Sequence, residues 1–221
     1  MYKYAIFDLD GTLANTLEDL ADAVNYALNK NGFATYPTED YKKMVGSGIV
    51  NLVKRASKCD DEAMISSLKA DFDEYYSANV VNKTCAYPLS EQVLENLQSK
   101  GITLAVLSNK PDIFVKTILD KLFPNITFKE AWGKKEEYAI KPNPESLNAI
   151  LDRLGADKSN TVYIGDSNVD ILTAQNGEID VIGCTWGFRD EAELVEAGAK
   201  KIAHTYIELE ALILGENKWT I

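Results

Sequence analysis

The run Tyr4-Ala5-Ile6-Phe7 ends abruptly in Asp8-Leu9-Asp10-Gly11-Thr12-Leu13, and no other stretch limits the possible folds as much. Four apolar residues near the N-terminus read as a buried strand. Two carboxylates at i and i+2 then leave the strand end in the same direction and repel each other. A divalent cation or a shared proton between them relieves that repulsion. Gly11 permits a sharp turn, and Thr12 adds a hydroxyl beside the acids. Open α/β sheets bind ligands in crevices at the carboxyl ends of their strands. The segment therefore predicts both a sheet of that kind and a site at its edge.

The rest of the chain fits such a sheet after one interruption. Thr16-Leu17-Glu18-Asp19 reads as a helix start, with a hydroxyl N-cap and an acid three residues on. Leu17, Leu20, Ala21, Val24 and Leu28 follow at helical spacing, and Asn31-Gly32 marks an end. Residues 38–44, 49–56 and 61–78 read as further helices. From there strands and helices alternate: helix 90–100, strand 102–107, helix 111–122, strand 128–132, helix 144–154, strand 161–164, helix 169–176 and strand 181–184. Alternation predicts an α/β fold, a doubly wound, mostly parallel, Rossmann-like sheet with both faces covered. The expected division is a catalytic core of residues 1–14 and 83–221 with an inserted all-helical cap domain, residues 15–82.

Charge narrows the partners. The formal net charge is -11, and no basic run compensates it. Nucleic acid and an anionic membrane surface are therefore not expected as partners, and no apolar run approaches membrane-spanning length. The three cysteines, Cys59, Cys85 and Cys184, form no C-x-x-C pair, so free thiols and a cytoplasmic location are expected. No targeting segment is expected at the N-terminus, where Asp8 interrupts the apolar run. The single histidine, His204, argues against histidine-based acid/base chemistry.

In a parallel sheet the strand ends share one edge. Asp8 and Asp10 end the first strand, Ser108 and Asn109 the next, and Asp166 a third, with Asp170 one helical turn on. Lys141 lies in Ile140-Lys141-Pro142-Asn143-Pro144, just before a helix. One lysine cannot neutralise four acids, so a divalent cation completes the set, and oxygen ligands favour Mg²⁺. A carboxylate nucleophile, a second acid two residues away and a metal describe phosphoryl transfer through an aspartyl-phosphate.

Asp8-Leu9-Asp10-Gly11-Thr12-Leu13, Ser108-Asn109-Lys110-Pro111, Lys141-Pro142-Asn143-Pro144 and Gly165-Asp166-Ser167-Asn168-Val169-Asp170 together resemble the four motifs of the haloacid dehalogenase superfamily, in order and over nearly the whole chain. Val45-Gly46-Ser47-Gly48, the Ser108 segment and Thr185-Trp186-Gly187-Phe188-Arg189 most resemble its phosphoglycolate phosphatases. The resemblance implies a Mg²⁺-dependent phosphatase for a small phosphomonoester. Asp8 would be the nucleophile, and Asp10 would protonate the leaving group and then activate water. Asp8, the Asp10 carbonyl and Asp166 would hold the metal, with Asp170 supporting its waters. Ser108 and Asn109 would bind phosphate, Lys141 would pair with Asp8, and Thr12 would orient Asp10. Gly46, Ser47 and Gly48 would close over the leaving group, and Arg55, if its helix faces inward, would add a cation there. The expected partner is a small-molecule phosphoester bound to a monomer or homodimer.

Two other readings stay open at this point. A phosphosugar mutase of the same superfamily would use basic cap groups, such as Lys54 or Arg55, to grip a second phosphate. A receiver-like regulatory domain shares the phosphorylatable acid, hydroxyl and lysine, but is little more than half this length and lacks the helical insertion. Three departures from the family pattern stand out: Asn15 where an acid is common, Asn143 in place of a histidine, and Glu178-Ile179-Asp180 before the last strand.

Overall fold

The computed structural model describes residues 1–216. Six strands form one parallel sheet: β1 (Tyr4–Phe7), β4 (Thr103–Pro111), β5 (Phe128–Lys134), β6 (Thr161–Gly165), β7 (Asp180–Cys184) and β8 (Ile202–Ala203), in the spatial order β5-β4-β1-β6-β7-β8. β1 is central and pairs with β4 on one side and β6 on the other. Phe7 lies level with Val106 and Ile164, so all three strands reach the same edge together. A two-stranded antiparallel ribbon, β2 (Ala14–Asn15) with β3 (Cys85–Ala86), lies beyond that edge.

Side-chain alternation along the strands builds two cores. Ala5, Phe7, Leu104, Val106, Val162 and Ile164 pack towards α4 (Ser90–Ser99), α5 (Asp112–Leu122) and α9 (Tyr206–Leu214). Ile6, Ala105, Leu107 and Tyr163 pack on the opposite face against α6 (Glu145–Leu154) and α7 (Asn168–Asn176). A strand buried on both faces reads as a continuous apolar run. That is why β1 and β6 are legible in the sequence.

Between β2 and β3 the chain is helical throughout: α1 (Leu17–Lys30), a 3₁₀ helix over Thr38–Lys43, α2 (Ile49–Ser57) and α3 (Glu62–Asn79). The α-helix expected over 38–44 is thus a 3₁₀ helix. The start of α1 also differs from expectation. Thr16 is its N-cap residue but makes no side-chain cap bond; its hydroxyl donates to Asp10 Oδ1 at 2.6 Å instead. Asn15 Oδ1 accepts from Leu17 N at 3.3 Å in its place. Asp19, read as part of that start, is buried and turns to the returning chain. It accepts from Lys83 N, Thr84 N and Thr84 Oγ1, the last at 2.7 Å.

Beyond β7 the structure adds α8 (Glu191–Glu196), β8 and α9, which the strand-and-helix reading of the sequence did not reach. Their signals were caps: Asp190 accepts from Glu193 N and Thr205 from Glu208 N. The unusual Glu178-Ile179-Asp180 lead into β7 has a local account. Glu178 takes a left-handed φ of 58° and pairs with Lys158, while Asp180 holds Lys201 at 3.0 Å and accepts from the Tyr2 hydroxyl. Among the described residues no helix is long and apolar enough to cross a membrane.

Asp19 ties the first helix to the point where the chain re-enters the sheet. Replacing it by alanine strands two backbone donors and a hydroxyl. Asp19→Ala is expected to lower unfolding free energy by roughly 2–3 kcal/mol, read as a fall in the urea midpoint. An unchanged midpoint would show that water replaces these bonds at no cost.

Candidate active site

The carboxyl ends of β1, β4 and β6 gather the predicted acids within one buried network. Carboxylate oxygens of Asp8, Asp166 and Asp170 all lie within 4.8 Å of one another. Each is buried. Asp8 directly follows β1 and is held at Oδ1 by a hydrogen bond from Leu9 N at 2.7 Å and an ion pair with Lys141 Nζ at 3.0 Å. Asp166 follows β6 and is fixed at both oxygens, by Thr12 Oγ1 at 3.0 Å and Phe188 N at 2.7 Å. A Cβ at Gly11 or at Gly187 would overlap the Asp166 carboxylate, so glycine at both positions is what lets that acid sit here. Asp170 closes a capping box with Ser167 and gives its other oxygen to Lys141 at 2.7 Å.

Lys141 is buried between these acids and also donates to the Tyr163 hydroxyl at 3.0 Å. Tyr163 in turn donates to Leu107 O, which anchors the lysine to β4. Burial opposes the Lys141 charge, but Asp170 and Asp8 outweigh it and hold its pKa well above the ordinary range.

Asp10 occupies a different set of bonds. Its carboxylate accepts from Thr16 Oγ1 at 2.6 Å and from Lys110 Nζ at 2.9 and 3.3 Å. Lys110 is buried at the end of β4, with its ammonium 4.8 Å from the centre of the Tyr76 ring on α3. Burial opposes its charge too, and Asp10 outweighs it, so its pKa is raised. β4 runs on to Pro111 where the sequence predicts an end near residue 107. A register shift against β5 between Leu107 and Pro111 lets Ser108, Asn109 and Lys110 close the strand.

A small cavity, open at its mouth, lies above these groups. Asp8, Asp10, Ser108 and Lys110 line its floor, and Gly46 and Gly48 its roof. The roof loop is tied to the sheet edge at two points. Asn109 Nδ2 donates to Gly46 O at 3.0 Å, and Arg189 donates to the carbonyls of Lys42 and Val45, the latter at 2.8 Å.

The chain matches the family described as haloacid dehalogenase-like hydrolase over residues 5–184. It belongs to that family. Among its relatives, a phosphoglycolate phosphatase of Haemophilus influenzae (strain 86-028NP) is 31% identical over 96% of this chain and 98% of its own length. A phosphoglycolate phosphatase of Psychrobacter arcticus is 36% identical over 83% of each. Among solved structures, a candidate phosphoglycolate phosphatase from Lactobacillus delbrueckii subsp. bulgaricus superposes with a TM-score of 0.92 at 36% identity, over 97% of this chain and 99% of that one.

Within this haloacid dehalogenase-like hydrolase, three sequence expectations need correction, those for Thr12, for the number of lysines and for Arg55 with Ser47. Thr12 bonds Asp166, while Thr16 is the hydroxyl on Asp10. Two lysines enter the site where the sequence reading placed one, because Lys110 at the strand end turns inward. Asn109 lines the cavity, and its side chain bonds Gly46 O, Lys141 O and Lys141 N. Arg55 folds back on its own loop, to Met44 O at 2.7 Å and Ser47 Oγ at 3.1 Å, and neither it nor Ser47 lines the cavity. Trp186 packs: it stacks on Tyr206 with ring centres 4.6 Å apart and donates to Thr12 O.

Two ammonium groups face four carboxylates, so the network carries excess negative charge. Burial, opposed by Lys141 and reinforced by Asp170, Asp166 and Asp10, pushes the Asp8 pKa up to about 8. Burial and Asp170 push Asp166 up to about 7. Three buried carboxylates with oxygen donors alone suit a hard divalent cation. Without a cation the sign of the pH effect follows. Asp8 binds its proton more tightly folded than unfolded, so its contribution to stability is full below pH about 4 and is lost as pH rises through about 8. Metal-free Asp8→Asn is therefore expected to melt higher than wild type at pH 8.5 and close to it at pH 5. A variant less stable at both pH values would show that the Lys141 pair outweighs the crowding of the acids.

Proposed function

We propose that this chain is a Mg²⁺-dependent phosphatase that hydrolyses a small phosphomonoester of the phosphoglycolate kind through an aspartyl-phosphate on Asp8. The observation that carries the reading is the separation of the two acids after β1. Asp8 is pinned through one oxygen beside Lys141, while Asp10 sits in its own bonds to Thr16 and Lys110, and both line one cavity. A nucleophile and an acid/base group need such different surroundings. The phosphoglycolate phosphatases that align over nearly the whole chain support the substrate class.

In the first half-reaction an Asp8 oxygen attacks phosphorus, and the ester oxygen leaves with a proton from Asp10. In the second, Asp10 takes a proton from water, which attacks the phosphoryl group, frees Asp8 and completes inorganic phosphate. Lys141 offsets charge on the phosphoryl oxygens, and the Ser108 hydroxyl hydrogen-bonds them. Asp8, the Asp10 carbonyl and Asp166 would hold Mg²⁺, with Asp170 supporting its waters, and the ion would supply further compensation of phosphoryl charge. Residues 15–82 act as the cap, with Gly46-Ser47-Gly48 excluding bulk water over the leaving group. The three free thiols fit a cytoplasmic enzyme, which acts as a monomer or homodimer on a small molecule.

Phosphate release from 2-phosphoglycolate tests this. Asp8→Asn is expected to fall to background with the fold intact, because the nucleophile is gone. Asp10→Asn is expected to fall by roughly 10²–10⁴-fold, the usual worth of general acid–base help. A rate close to wild type in either variant would remove that residue from its role.

Metal dependence gives an independent check. EDTA is expected to abolish turnover, Mg²⁺ to restore it, and Ca²⁺ to fail, since Ca²⁺ takes more and longer oxygen bonds and would engage both Asp8 oxygens. Full activity in EDTA after stripping would contradict the metal site.

A further inference from the structure

We infer that Lys110 reads an anionic group on the leaving alcohol, so that this site selects short phosphomonoesters carrying a carboxylate beside the ester carbon. The inference rests on the phosphatase reading above and adds to it the residue that chooses among phosphomonoesters. Four features support it. First, the wall facing the acids is apolar, formed by Leu20, Val45, Ile49 and Leu52. Second, Lys110 is the one cationic side chain among the described residues that line the cavity. The cap cations point elsewhere, Arg55 to Met44 O and Ser47, Lys54 to Asp60 at 2.7 Å. Third, both Asp10 oxygens and the Tyr76 ring hold the Lys110 ammonium at the cavity, so its charge is fixed in place before a ligand arrives.

The fourth feature is reach. Nζ stands 2.9 and 3.3 Å from the Asp10 oxygens. A leaving oxygen hydrogen-bonded to Asp10 then lies roughly 6 Å or less from the ammonium. A carboxylate one carbon away from that oxygen spans the gap, and a longer chain would meet the apolar wall. The net charge of -11 makes this local cation the more necessary, because the long-range field repels a substrate bearing two anionic groups.

The test compares kcat/KM for 2-phosphoglycolate and 2-hydroxyethyl phosphate, which differ by carboxylate against hydroxymethyl. Wild type is expected to favour phosphoglycolate by roughly tenfold to a hundredfold, the range of one charge-assisted hydrogen bond. Lys110→Met is expected to slow both, since Asp10 loses a partner, and to bring the ratio within about threefold of one. Lys110→Arg, which keeps the charge, is expected to retain part of the preference. Thr16→Val disturbs Asp10 without touching the cation, and is expected to lower both rates with the ratio preserved. Equal losses on both esters in Lys110→Met, or no preference in wild type, would overturn the role of Lys110 and leave the phosphatase reading standing. No phosphate release from either ester by folded wild type with Mg²⁺ would overturn the phosphatase reading, and this inference with it.

Discussion

Four carboxylates and two ammonium groups packed at the end of a parallel sheet set the terms for everything around them. Like charges at hydrogen-bond range are tolerated in a low-dielectric site only when each is answered by a partner. Lys141 answers Asp8 and Asp170 together, and Lys110 answers Asp10. The remaining imbalance falls on Asp8 and Asp166, whose pKa values are both raised. The acids that hold a proton too tightly are thus the two that the family reading assigns to the cation. A buried charge deficit of this kind stores affinity for a divalent ion.

The scaffold is arranged to keep that deficit in place. β1 is flanked by β4 and β6 in register, so Asp8 and Asp166, just past β1 and β6, lie at one sheet edge with Ser108 in the last part of β4. Parallel pairing needs long crossovers, and these bring in Lys141 ahead of α6 and Asp170 in the first turn of α7. Close approach is the second requirement. Gly11 and Gly187 leave the room that Asp166 occupies, and the Phe188 N–H fixes its second oxygen. The segment after β7 serves the site through backbone and packing, with Trp186 and Tyr206 both bonded to the Thr12 carbonyl.

Strand identity and strand-end chemistry were legible in the sequence because each is local. An apolar run followed by Asp-Leu-Asp-Gly-Thr needs no knowledge of distant residues, and neither does the alternation of strand and helix after residue 90. The choice of hydroxyl for each acid was not legible. Thr12 and Thr16 both lie near Asp10 in sequence, and only the turn through Gly11 sends one to Asp166 and the other to Asp10. Lys110 was hidden for a related reason. A strand expected to end near residue 107 leaves that lysine in a solvent-facing turn. The register shift against β5 keeps it in the strand and buries it. Arg55 failed in the opposite sense: a free cation on a helix read as a ligand until its nearest acceptor proved to be its own loop.

One chain of contacts joins the roof of the cavity to Asp8. Gly46 O accepts from Asn109, whose amide also holds both backbone groups of Lys141, and the Lys141 ammonium bonds Asp8. Raising the roof loop must break the Asn109 bond to Gly46 and the two Arg189 bonds to Lys42 and Val45. At about 1 kcal/mol net each, these three bonds together add a few kcal/mol to the cost of lifting the loop. The Lys141 backbone keeps its other bonds to Asn109 when the roof lifts. Opening therefore loosens the cover while the charged floor stays assembled.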